Sequence, residues 1–186
     1  DYWYDMRRYL EELSPEDRRR SRDPAAMDGK GISAEFTFGH RVAGRAVDFL
    51  GRHGTEDFLL VVSFDEPHGP CLCPEPFASL YEDYELPRSV NVGDRLSDKP
   101  PHIRAWAGAR AFEDPEAVRI RHPRYFGCNS FVDHEIGRVL DAVDRHAPDA
   151  QVIYTSDHGD ALGSHRISNK GPAVYDEVAR IPLIIR

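Results

Sequence analysis

The chain has 186 residues and a mass of 21.1 kDa, room for one domain or a large piece of one, and a chain of this length buries roughly 70% of its unfolded surface. Lys and Arg number 24 against 32 Asp and Glu, and the resulting net charge of −8 argues against a chain built to grip nucleic acid or an anionic membrane face. No run of about 18 apolar residues is present to span a bilayer. Three cysteines do not make a disulfide framework, and 40% apolar with 30% charged residues is not a disordered composition.

In chain order, Met6, Tyr9, Leu10 and Leu13 fall at helical spacing, and Ser14-Pro15-Glu16-Asp17 reads as the start of a second helix. Arg18, Arg19, Arg20 and Arg22 that follow are read as a solvated helix end rather than a phosphate patch. Residues 23–31 are loop. A helix over about 33–52 carries Ala43, Ala46, Val47 and Leu50 as its apolar stripe, with His53-Gly54 as its stop. Phe58 to Phe64 is a continuous apolar run, which suits a strand covered on both faces. Residues 65–100 form a long Pro-rich, acidic loop with at most a helical turn near 77–81, and a loop of that length is functional or mobile.

A short helix is expected over 102–112 and a long one over 124–145, where Val132, Ile136, Val139, Leu140 and Val143 recur at core-facing intervals before Pro148. Val152 to Thr155 and Ile181 to Ile185 read as strands. Helix, strand, loop, helix, strand is the pattern of a three-layer α/β sandwich with a mostly parallel sheet. Asp1 is no initiator Met and the chain stops in a strand, so it reads as an excerpt. Cys71 and Cys73 are read as loop thiols and Cys128 as helix packing.

Ligands of such sheets bind beyond the carboxyl ends of the strands. One strand here runs into Asp65-Glu66-Pro67-His68-Gly69-Pro70, the other into Ser156-Asp157-His158-Gly159-Asp160. A carboxylate and an imidazole side by side can point at one cation. Asp157 suits Ca²⁺, Mg²⁺ or Mn²⁺, while His158 tilts the choice toward Mn²⁺ or Zn²⁺. By itself the tripeptide also fits a turn capped by its Asp.

The segment from Val152 to Gly163, then Lys170-Gly171-Pro172, Tyr175-Asp176-Glu177 and Arg180 to Ile184, resembles the C-terminal active-site stretch of the sulfatase family in the alkaline-phosphatase-like superfamily. Phe58 to Pro70 is similar to its strand ending in a Pro-His-x-Pro loop, and Ser130 to Leu140 to its helix before the metal strand. The resemblance runs from about Ala46 to Arg186. It implies Asp157 and His158 as metal ligands, Lys170 as the sulfate-contacting lysine thirteen residues after Asp157, and His68 as the histidine on the leaving-group or sulfate oxygen. His165, in the same loop, is a weaker candidate.

The implied activity is hydrolysis of a small-molecule or saccharide sulfate ester with a divalent cation. Ca²⁺ is the expected ion, with Mn²⁺ or Mg²⁺ as alternatives. The family's nucleophile is a formylglycine made in a Cys/Ser-x-Pro-x-Arg motif, and no Cys or Ser here has Pro at +2 and Arg at +4. Nor does any stretch match the family's first metal-binding acidic pair. Arg166-Ile167-Ser168-Asn169 also departs from the family's usual Gly and apolar residues. The expectation is therefore a partial catalytic domain over 1–186, without the nucleophile region and C-terminal subdomain and inactive alone. Phosphonate or phosphate ester hydrolysis, or a non-catalytic binding module, are the alternatives. Compartment and oligomeric state are not legible; bacterial cytoplasm and periplasm both fit.

Overall fold

A computed structural model describes residues 32–69, 71–87, 90–109, 119–120, 122–167 and 169–186, with Pro15. Apart from Pro15, the features expected over residues 1–31 lie outside the described residues. Contacts divide the chain into two units, Asp1–Tyr84 with His122–Ala150, and Glu85–Arg121 with Gln151–Arg186.

The first unit is built on two helices. Helix α1 (Phe38–His53) follows a short 3-10 turn at Ala34–Phe36. Thr37 caps it: its hydroxyl oxygen accepts from the His40 N–H at 3.3 Å and donates to the Ala34 carbonyl at 2.6 Å. Its stripe Ala43, Ala46 and Leu50 is buried, as the spacing predicts. Gly54 stops it, and an added Cβ there would meet the Leu50 and His146 carbonyls, so the two helix ends approach as only glycine allows.

The long helix starts at Pro123, where a missing N–H costs nothing, and runs to His146, just short of Pro148. Cys128, Phe131, Val132, Val139 and Val143 are buried along it, while Ile136 and Leu140 are half-buried. Cys73, Cys128, Ala78 and Phe131 form one cluster, which bears out Cys128 as packing and draws Cys73 out of the loop into the core.

Residues 58–64 are extended but belong to no strand ladder. Leu59 and Val61 are 92% and 80% exposed, whereas Phe58, Leu60, Val62 and Phe64 between them are half-buried. Here the expected strand, covered on both faces, is corrected to a segment packed on one face only.

In the second unit, strands β1 (Leu86–Pro87) and β2 (Arg119–Ile120) pair antiparallel, as do β3 (Ile153–Thr155) and β4 (Leu183–Ile185), with Ile153 opposite Ile185 and Thr155 opposite Leu183. The described strands therefore make two short antiparallel ladders, not the mostly parallel sheet that the alternation suggested. Helix α2 (Pro101–Ala109) buries Ile103 and Ala107 against Ala161, Ile167 and Val178, the last from the short α4 helix (Asp176–Ala179). With the long helix numbered α3, these are the elements that position the chemistry. No helix among the described residues is long and apolar enough to cross a membrane.

Candidate active site

Strand β3 delivers its chain directly into Ser156-Asp157-His158-Gly159. Thr155 at the strand end donates its hydroxyl to the Pro182 carbonyl at 2.9 Å, and Ser156 donates to the His158 carbonyl at 2.9 Å. Asp157 Oδ1 accepts the His158 N–H at 2.8 Å, the capped turn that the sequence also allows. The remaining oxygen, Oδ2, faces His158 Nε2 at 3.5 Å.

Hydrogen-bond chemistry fixes the imidazole's tautomer. His158 Nδ1 lies 2.9 Å from the Gly159 carbonyl oxygen. A carbonyl only accepts, so Nδ1 carries the proton and donates. In the neutral ring Nε2 then presents a bare lone pair toward a carboxylate oxygen. Two lone-pair donors in that relation are joined by a proton or by a cation. Tying the far ring nitrogen to a backbone carbonyl is also how metal-binding imidazoles are oriented.

The donor set fits a hard or borderline divalent ion, as one carboxylate and one imidazole. It is only part of a shell, since Ca²⁺ takes about six to eight ligands. Among the described residues no cluster of three or more His, Cys, Asp or Glu is arranged to hold an ion.

Glycine at 159 is required by packing. Its N–H donates to the Val178 carbonyl at 2.8 Å, and an added Cβ would collide with the Glu177 carbonyl of α4. The chain then makes a closed loop. Ala161 N–H donates to the Asn169 carbonyl at 3.1 Å at its base, and Gly163 N–H to the Ile167 carbonyl at 3.0 Å across it. Lys170 leaves that base half-buried. It stands between Asn169 and Gly171, both at left-handed φ (65° and 54°), which these two residue types tolerate best. The loop thus returns Lys170 to the base residue Ala161, three positions after His158.

His68 belongs to the first unit; Asp157, His158 and Lys170 belong to the second. It is exposed, and its Nδ1 donates to the Gly69 carbonyl at 2.8 Å, the device seen at His158-Gly159. Its Nε2 is thereby left as the nitrogen that can exchange a proton. Beside it, burial pushes the Glu66 carboxyl up, against the pull of the Gly39 N–H that donates to Oε1 at 2.8 Å.

The spacing of residues gave no hint of the surroundings of His165. Its Nδ1 faces Asp94 Oδ2 at 2.6 Å, its Nε2 faces Glu177 Oε1 at 3.5 Å, and its ring stacks on Tyr175 with centroids 3.7 Å apart. Lys99 reaches Asp94 at 3.2 Å, and Asn91 donates to Glu177 at 3.1 Å. The hydrogen bond from His165, followed by that from Lys99, holds the Asp94 carboxyl below the usual range. At Glu177 burial raises the carboxyl, but hydrogen bonds from its own backbone, Asn91 and Ser164 outweigh it and leave the group lowered. In the first unit, Glu135 sits buried between His40 (2.9 Å) and Arg138 beside a cleft of about 650 Å³ that none of the four predicted site residues lines.

The family model described as Sulfatase matches residues 2–186. An uncharacterized sulfatase, YidJ of Escherichia coli K12, is 42% identical over all of this chain and 39% of its own length. An arylsulfatase of Clostridium perfringens is 30% identical over 77% of this chain and 31% of its own. The chain therefore spans less than two fifths of the length of these curated relatives. Among solved structures, the phosphonate monoester hydrolase of Agrobacterium radiobacter superposes with a TM-score of 0.59 over 84% of this chain and 34% of that one, at 22% identity, a likeness of fold.

Proposed function

The chain belongs to the sulfatase family, and from that premise we propose that the whole protein hydrolyses sulfate esters with a divalent cation held in part by Asp157 and His158. The observation that carries this reading is the Asp157–His158 pair itself, with Nδ1 committed to Gly159 and Nε2 turned to the carboxylate.

Enzymes of this family generally use a divalent metal; Ca²⁺ is our choice, given a carboxylate at an exposed turn, with Mn²⁺ and Mg²⁺ next. When bound, the cation supplies fixed positive charge to the sulfate oxygens. Lys170 adds a point charge suited to a tetrahedral anion, carried on a loop whose base is hydrogen-bonded shut. As the S–O bond breaks, negative charge grows on the leaving oxygen. His68, with its Nδ1 proton given to Gly69, hands over a proton from Nε2 there when the ring is the imidazolium, which carries one on each nitrogen. The nucleophile is not assigned to any residue of this chain.

The exposed side chains of Leu59 and Val61 and those along β3 and β4 support a three-layer sandwich for the catalytic domain, because bare β-branched and leucine faces of this kind are covered in α/β sheets. Phosphonate ester hydrolysis is the second reading, favoured by the fold shared with the Agrobacterium hydrolase.

Assay of the whole protein with a chromogenic aryl sulfate and the matching phosphonate ester, before and after chelation and with Ca²⁺ restored, tests the proposal. Sulfate turnover that is lost on chelation and regained with Ca²⁺ is expected. Turnover of the phosphonate alone, or full activity after chelation, contradicts it.

A further inference from the structure

We propose that His165 is a positioning residue, a clasp that holds the loop carrying Lys170 in register with the Asp157–His158 turn. The inference rests on the sulfatase reading for its effect on turnover, but not for its effect on the loop.

Three observations converge on it. The loop is strained: Leu162, His165, Arg166 and Asn169 all stand at left-handed φ, between 43° and 65°. For Leu162, His165 and Arg166, unlike Asn169, that conformation is unfavourable, and it persists only where the surroundings over-determine it. His165 is at the loop's apex and is over-determined. Asp94 and Glu177 face its two nitrogens and Tyr175 lies flat against its ring. Both ring nitrogens are engaged and the side chain is only 14% exposed, so the imidazole has no free edge to offer a substrate. It acts through what it holds.

Glu177 connects the clasp to the chemistry. Its carboxylate faces His165, and Ser164 donates to it as well. Its own backbone carbonyl presses on Gly159, whose N–H is bonded to Val178. One short helix, α4, therefore grips the residue after His158 with its backbone and the Lys170 loop with a side chain. Asp94 adds an anchor from a separate stretch of chain, itself braced by Lys99. Released from the clasp, the loop keeps its base bond at Ala161–Asn169 but loses what fixes its apex, and the segment that carries Lys170 loses that restraint.

The experiment is a double-mutant cycle in the whole protein, read as kcat/KM on an aryl sulfate, with amide hydrogen exchange over residues 161–171. His165→Ala is expected to lower kcat/KM by about ten- to a hundredfold, the scale of a misplaced catalytic group. On a Lys170→Ala background the same change should cost less than about threefold, because the group being positioned is gone.

His165→Asn should recover most of the loss, since its Nδ2 takes the place of Nδ1 toward Asp94 and Asn tolerates left-handed φ. His165→Gly, which relieves the backbone without restoring the clasp, should not recover it. Exchange at the Gly163 and Ile167 amides should speed up about tenfold or more in the Ala and Gly variants. Equal cost of His165→Ala on both backgrounds, or unchanged exchange, overturns the clasp. If the unaltered protein has no sulfatase turnover, the sulfatase reading falls and the exchange measurement still decides the clasp.

Discussion

Among the described residues of the second unit, His158 and His165 both face carboxylates, and they differ in how far those partners are exposed. At His165 and Asp94 the contact is 2.6 Å, the side chains are 14% and 26% exposed, and the second ring nitrogen is met by Glu177. At His158 and Asp157 the separation is 3.5 Å, the exposures are 38% and 84%, and the second nitrogen is spent on a backbone carbonyl. Sequence gives the two the same ingredients. Exposure separates them, since each ring has a partner at both nitrogens: the more buried imidazole holds structure, and the one facing a solvated carboxylate keeps coordination capacity for a ligand.

The largest effect that would sharpen this contrast comes from exchanging the damage. Asp157→Ala should reduce turnover of the whole protein by about 10²–10³-fold. Its cation-free stability should fall by no more than about 1 kcal/mol, the worth of the one hydrogen bond from the His158 N–H that it gives up. Calorimetry beside kinetics checks both, and a large stability loss would make Asp157 structural.

Gly159→Ala comes next. A methyl pressed into the Glu177 carbonyl has no flexible side chain to displace, so a loss of about 1–3 kcal/mol in urea midpoints is expected, together with lost activity. A neutral result would mean that α4 does not lock the turn.

Smaller effects concern pH. The Asp94 carboxyl is lowered in the folded chain, so its contribution is present above the unfolded carboxylate value of about 4 and is lost as pH falls through the lower folded value. Acid titration of loop exchange should show that loss, and Asp94→Asn should abolish it. Glu66 has the opposite sign. Burial raises it, so its contribution is present below the unfolded value and fades as pH rises through the folded one. Glu66→Gln should flatten that dependence in the first unit, and unchanged pH dependence would discount its burial.

Much of this was legible in the residues. The 3.6-residue period marks the long helix to within a residue at each end, and His53-Gly54 marks the stop of α1, but α1 begins at Phe38, five residues after the expected start, because Thr37 rather than Ser33 caps it. β3 and β4 follow from their β-branched runs, and the Asp-His-Gly turn from its place after a strand. What escaped is non-local. The clasp on His165 depends on Asp94, 71 positions away, in a long loop that composition marks only as functional or mobile. Strand direction is equally invisible to periodicity, and so β3 and β4 pair antiparallel against expectation. Leu59 and Val61 illustrate the same limit, since an apolar run tells which faces seek cover but not what lies on them.

Anomalous diffraction from crystals of the whole protein grown with Mn²⁺ in place of Ca²⁺ addresses the Asp157–His158 pair most directly. The account predicts a peak about 2.0–2.6 Å from an Asp157 oxygen and from His158 Nε2. A cation bound elsewhere, with His158 Nε2 turned from Asp157, would contradict it.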